Sequence, residues 1–170
     1  MKRAVLPLLL LAGLLALSGC ARSVRREPPA LTVACAGAEW AAQRGGYSWS
    51  YRSGLRGRTS VVADTAHPLQ CVGDGSLTAI PRGGENRLSL RFAAAPDRCE
   101  ARCWSDAQIA ALTADGDLAA DAEAQATALT AVNGELTLPG EGGFLVAVRA
   151  EWGKETPGGF GTAEYVFYIG

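Results

Sequence analysis

The chain has 170 residues, with 16 Lys and Arg against 17 Asp and Glu and a single His. A hydrophobic fraction of 48% argues against a disordered polymer, and the near-neutral balance against a nucleic-acid binder held by bulk charge. One Met, one His and no sustained heptads disfavour a haem protein, a histidine-rich metal carrier and a coiled coil.

Lys2 and Arg3 open the chain, a Leu-rich apolar stretch runs from Ala4 to Ala16, and Leu17-Ser18-Gly19-Cys20 follows. A positive start, an apolar middle and small residues before a cut make residues 1–19 a secretion signal. The apolar stretch is shorter than the roughly 20 residues a spanning helix needs. Leu-Ser-Gly-Cys resembles the lipobox of bacterial lipoproteins, and that resemblance implies that Cys20 becomes the first mature residue with a diacylglycerol on its sulfur. A thiolate is a strong nucleophile for taking a lipid, and two or more acyl chains anchor a protein stably. The mature chain would then carry 14 basic and 17 acidic residues. Residues 20–30 read as the lipidated Cys and a tether, since Ala21 to Ala30 holds four charges, two adjacent prolines and no apolar period. Arg22, Arg25 and Arg26 lie close to the expected anchor, although three arginines fall short of a lipid-specific cluster.

From Leu31 the dominant signal is alternation at every second residue, and residues 31–170 are expected to form one all-β domain. Leu31, Val33 and Cys35 share a face, as do Tyr47, Trp49 and Tyr51. Leu88, Leu90 and Phe92 alternate with Arg87, Ser89 and Arg91. Phe144, Val146, Val148, Ala150 and Trp152 make a fourth face, and Ala163, Tyr165, Phe167 and Ile169 a fifth. Thr59 to Ala63, Leu77 to Ile80 and Leu136 to Leu138 are shorter strands. Asn133-Gly134 predicts a tight hairpin turn between Ala128–Val132 and Glu135–Leu138, because both residues tolerate positive φ. Short strands punctuated by Gly and Pro point to an antiparallel β-sandwich. A single helix is predicted over Asp106 to Leu112, with Ser105 as its cap and Gln108 as the capping-box partner. Leu118 to Leu129 is Ala-rich and compatible with helix, so residues 105–130 read as an insertion between strands.

Apart from Cys20 the cysteines are Cys35, Cys71, Cys99 and Cys103, an even number in an exported chain. If Cys99 to Cys103 is extended, four residues span about 13 Å, too far for a bridge between them. Each would then pair with Cys35 or Cys71 in unassigned order. The alternatives are buried free thiols or, with poor spacing, a zinc site. Residues 22–102 carry 12 basic and 7 acidic side chains, residues 103–170 carry 2 and 10. Opposed patches for a partner would follow, or, more simply, neutralisation between neighbouring strands.

Chemistry is sparse. Asp64 and His67 are the one acid–imidazole pair, suited to a general base or half a metal site, yet no nucleophile motif accompanies them. The simpler role is to hold the turn that Pro68 fixes. Asp115 and Asp117 lack the further ligands of a calcium loop. Gly45-Gly46, Gly83-Gly84, Gly142-Gly143 and Gly158-Gly159 read as turn glycines. Trp40, Trp49, Trp104 and Trp152 would make either a sugar-stacking platform or core. The loop from Gly153 to Thr162 is long for a hairpin, with Phe160 in solvent as a candidate recognition residue, or, more simply, it is just a long loop.

Gly46-Tyr-Ser-Trp-Ser-Tyr51, Ala63-Asp64 with His67-Pro-Leu69, Arg102-Cys-Trp-Ser-Asp106, Val148-Arg-Ala-Glu-Trp152 and Gly161-Thr-Ala-Glu-Tyr-Val-Phe167 resemble small lipoproteins of Gram-positive, clostridia-like gut bacteria. The resemblance implies an extracytoplasmic location and an immunoglobulin-like sandwich, and brings no activity or ligand. The expectation is a lipid-anchored, non-catalytic binding or interaction module without a cofactor, touching the membrane through its anchor and an envelope protein or glycan through its surface. The alternatives are an envelope enzyme or metal-binding protein using Asp64 and His67, or an accessory subunit of an envelope complex.

Overall fold

The alternating segments become strands in the computed structural model, which describes residues 24–54, 57–72, 75, 77–114, 118–154, 156 and 158–170. The strands are β1 (Leu31–Cys35), β2 (Ala38–Ala41), β3 (Gln43–Ser53), β4 (Gly57–Ala63), β5 (Ala79–Ile80), β6 (Arg87–Phe92), β7 (Arg98–Ser105), β8 (Thr127–Leu129), β9 (Glu135–Thr137), β10 (Phe144–Trp152) and β11 (Phe160–Ile169). One sheet has the order β2-β1-β6-β9, and the second β4-β3-β11-β10-β7-β8. Both are antiparallel, except that two-residue β5 runs parallel to β11. The all-β sandwich is therefore as expected, with its last strand in the interior of the second sheet, between β3 and β10.

The inner faces are those the alternation marks. Leu31, Val33 and Cys35 of β1, Leu88 and Leu90 of β6 and Leu136 of β9 face Val146, Val148, Ala150 and Trp152 of β10 with Tyr165, Phe167 and Ile169 of β11. Trp49 and Trp152 meet edge to face at 5.6 Å, and Phe92 packs on both Trp152 and Tyr165. Trp49, Trp104 and Trp152 are fully buried, and Trp40 packs at the edge of the core, so they are core residues and no sugar platform.

Half of the outer face of the second sheet is also covered. α1 (Asp106–Leu112) forms with the expected capping box, Ser105 Oγ accepting from the Gln108 N–H and the Gln108 side chain from the Ser105 N–H. Its Ile109 and Leu112 join Leu69, Trp104, Leu145, Ala147 and Val166 in a second cluster. Residues 118–126 complete that cover as successive turns, not as a helix, with Ala122 buried and its carbonyl oxygen accepting from Trp104 Nε1 at 2.9 Å. Burial and one indole bond here outweigh the helical propensity of Ala. Asn133 and Gly134 have φ of 54° and 79°, as a tight turn of this sequence requires. The turn does not join a hairpin as expected: it carries the chain from β8 in the second sheet to β9 in the first, closed by a bridge between Val132 and Glu135.

The two ends of the sandwich differ. At the end where the chain enters lie the β3–β4 turn, the β10–β11 loop and residues 93–97. Residues 24–30, expected as a loose tether, are docked there. The Arg25 N–H donates to the Gly158 carbonyl, and the carbonyl oxygens of Arg25, Pro28 and Pro29 accept from Trp49 Nε1, Arg44 and the Tyr165 hydroxyl. Pro28 and Pro29 are buried. Two prolines suit this role because their φ is already fixed and they bring no N–H into an apolar site. At the far end the buried Arg82 guanidinium holds the carbonyls of Glu85, Gly140 and Gly142 and lies 5.7 Å over Phe144.

Candidate functional site

β10 and β11 pair so that Arg149 stands opposite Glu164, and β7 places Glu100 opposite Arg149 on the other side. These outward positions continue the face that α1 covers, and beyond that cover the face is charged. Arg102 marks the border. Its guanidinium lies 5.5 Å over the Trp104 ring, and Nη2 donates to Glu164 at 2.7 Å and to Glu123 at 3.0 Å. Its Nε is also 3.0 Å from Glu123 Oε2, a charge contact without hydrogen-bond alignment. Arginine from the first part of the chain thus meets carboxylates from the second, which neutralises the uneven charge of the sequence across neighbouring strands.

Next to Glu164 the sheet opens. Between Ala163 and Tyr165, β11 advances two residues while β3 advances three, from Arg44 to Tyr47. The extra residue makes a bulge at Gly45-Gly46, which sits inside β3 and not in a turn as expected. A Cβ on Gly46 would lie 3.3 Å from the Ala63 carbonyl oxygen and 3.6 Å from Thr65 Oγ1, so the bulge brings the β3 backbone close against the end of β4, and Gly46 lines the cleft beside it. The resulting cleft of about 300 Å³ is lined by Ser48, Asp64, Thr65, Arg149, Thr162 and Glu164, with exposed Val62 at its edge. Two carboxylates, a guanidinium and hydroxyls around one small concavity suit a polar ligand that both donates and accepts.

Asp64 and His67 do not act as a pair. His67 caps the 3-10 helix Pro68–Cys71, its Nδ1 accepting from the Leu69 N–H at 3.2 Å, and Nε2 lies 2.7 Å from Glu123 Oε1. The ring also stacks edge-on against Trp104 at 5.6 Å. Both nitrogens are committed to structure, as the turn-holding role requires. His67 therefore reaches the cleft indirectly, through Glu123, Arg102 and Glu164. Phe160 begins β11, half-buried under the Arg58 guanidinium at 4.9 Å, where it was expected in solvent. Cys20, Asp115 and Asp117 lie outside the described residues.

Cys99 and Cys103 share the inner face of extended β7, which meets the condition excluding a bridge between them. The helix bearing Cys71 packs on the outer side of the same sheet, and the Cys71 sulfur donates to the His67 carbonyl at 3.7 Å. The sheet itself separates Cys71 from Cys99 and Cys103. Cys35, Cys99 and Cys103 carry free thiols in this structure, and Cys35 donates to the Arg82 carbonyl at 3.5 Å. Burial pushes the Cys103 thiol up to about 11. Burial, then the Glu100 charge, raises Cys99; burial, then Glu85, raises Cys35. All three are protonated near neutrality and poor nucleophiles. Among the described residues no three His, Cys, Asp or Glu side chains converge as a metal centre would.

No protein-family model, curated protein or solved structure matches the chain.

Proposed function

We propose that the protein is a lipid-anchored, extracytoplasmic binding module, held to the membrane through Cys20 and presenting the uncovered half of its second sheet to a polar partner in the envelope. The glycine-floored cleft beside Asp64, Arg149 and Glu164 is the observation that carries this reading. A bulge that opens a charged concavity in an otherwise regular sheet is a common way to shape a recognition surface. A binding role suits the site better than general-base chemistry by His67, whose two ring nitrogens are both engaged, with Glu123 and with the Leu69 N–H. Function as an obligate subunit would use the same face, with a fixed protein as the partner.

A photo-crosslinking residue placed at Ser48 or Thr162, in cells, tests the surface. The expected result is a discrete adduct from these positions, lost with Arg149→Ala, and none from the same probe at exposed Val132. Equal labelling at all three sites refutes the cleft as the binding surface. Palmitate incorporation that persists in Cys20→Ala refutes the anchor.

A further inference from the structure

Resting on the anchored reading above, we propose that the entry end of the sandwich lies flat against the bilayer and that its exposed cations sit on anionic phospholipid headgroups. The reach of the chain comes first. Cys20 and Arg25 are five residues apart, at most about 18 Å of extended backbone. From Arg25 onward the chain is fastened by the Gly158 carbonyl, Trp49 and Pro28–Pro29 burial, so it cannot pay out further without breaking the domain. β10 has nine residues and spans about 30 Å. An anchor at Cys20 therefore lets the entry end reach the surface and keeps the far end away from it.

Charge supplies the second argument. Arg52 and Arg58 are direct cross-strand partners in the β3–β4 hairpin, both exposed. Like charges in that register destabilise a hairpin, and no carboxylate among the described residues lies within ion-pair distance of either. Arg26 and Lys154 are exposed at the same end, as is Val24, at 47%. Four cations reach the lower size of a cluster that reads anionic lipid, which the tether arginines alone do not. Of the acids nearby, Glu27 is paired with Arg44 and Asp97 accepts from the Gly153 N–H, while Glu151 is exposed in register with Arg98, whose guanidinium pairs with Glu100. The far end instead exposes Glu85, Asp106 and Glu141 against one exposed cation, Arg87. An anionic surface attracts one end and repels the other, and both effects favour the orientation the short link permits.

The test uses the full-length protein purified from membranes and returned to vesicles of phosphatidylcholine alone or with phosphatidylglycerol. Arginine modification by phenylglyoxal is mapped by mass spectrometry, which also reads the acyl mass at Cys20. In phosphatidylglycerol vesicles at low salt, modification of Arg26, Arg52 and Arg58 should slow about fivefold, while Arg87 at the far end is unchanged. The protection should vanish in about 1 M NaCl, where the Debye length is about 3 Å. Acylated protein with equal modification rates in both vesicle types overturns the orientation and leaves the anchor standing. Unacylated protein that still sediments with phosphatidylglycerol vesicles and protects the same arginines overturns the anchor and keeps the surface. Unacylated protein without protection overturns both.

Discussion

The Tyr165 hydroxyl donates to the Pro29 carbonyl oxygen within the entry end, and the ring packs against Phe92. Burial pushes its phenol up to about 12, with the Arg44 charge opposing. The neutral phenol is thus favoured in the folded state over the unfolded chain, whose tyrosines ionise near 10. That contribution is complete below pH 10 and lost as pH rises toward 12. Urea unfolding followed by fluorescence should give a midpoint that falls across this window. Tyr165→Phe should cost about 1 kcal/mol at neutral pH by leaving the Pro29 carbonyl without its donor, and should flatten the alkaline fall. A residual slope is expected from Tyr168, whose phenol is raised in the same direction by burial and the adjacent Asp106. An unchanged alkaline profile in Tyr165→Phe would show that this phenol is not the linked group.

Among the elements, α1 is held mainly by its first turn. Seven residues are too few for an isolated helix, so the Ser105 cap and the burial of Ile109 and Leu112 must supply its stability. Ser105→Ala is expected to lower unfolding free energy by about 1 kcal/mol in urea titrations, with hydrogen exchange fastest over residues 109–113. A loss below about 0.3 kcal/mol would mean that packing alone fixes the helix. This helix, β1, β6, β10 and β11 were legible because each has one periodic buried face or a cap with a chemical signature. The cover over residues 118–126 was not, since Ala fits helix, turn and core alike and only the Trp104 indole and the neighbouring sheet decide between them. In the cleft, Asp64 was legible as a carboxylate close in sequence to the one histidine, whose ring is instead taken up by Glu123 and the Leu69 N–H. Arg149 and Glu164 come together by strand register, which no local pattern reveals. Gly45-Gly46 was the readable signal: paired glycines beside the alternating Tyr47, Trp49 and Tyr51 mark a bulge as readily as a turn.

For the molecule as a whole, the docked segment before β1 belongs to the fold. It closes the entry end by giving carbonyl acceptors to Trp49, Tyr165 and Arg44, three side chains anchored on different strands or faces. A chain starting at Leu31 leaves these donors unpaired, whereas one starting at Val24 keeps every one of these bonds. At about 1 kcal/mol per lost bond, before any apolar exposure, the shorter form should be less stable by at least 3 kcal/mol. For a domain of this size that lowers the melting temperature by roughly 6–12 °C. Calorimetry of the two forms decides it: equal melting temperatures would return residues 24–30 to the status of a tether. They would also lengthen the leash from Cys20 to β1 to roughly 35 Å, long enough to free the sandwich from any fixed orientation on the membrane.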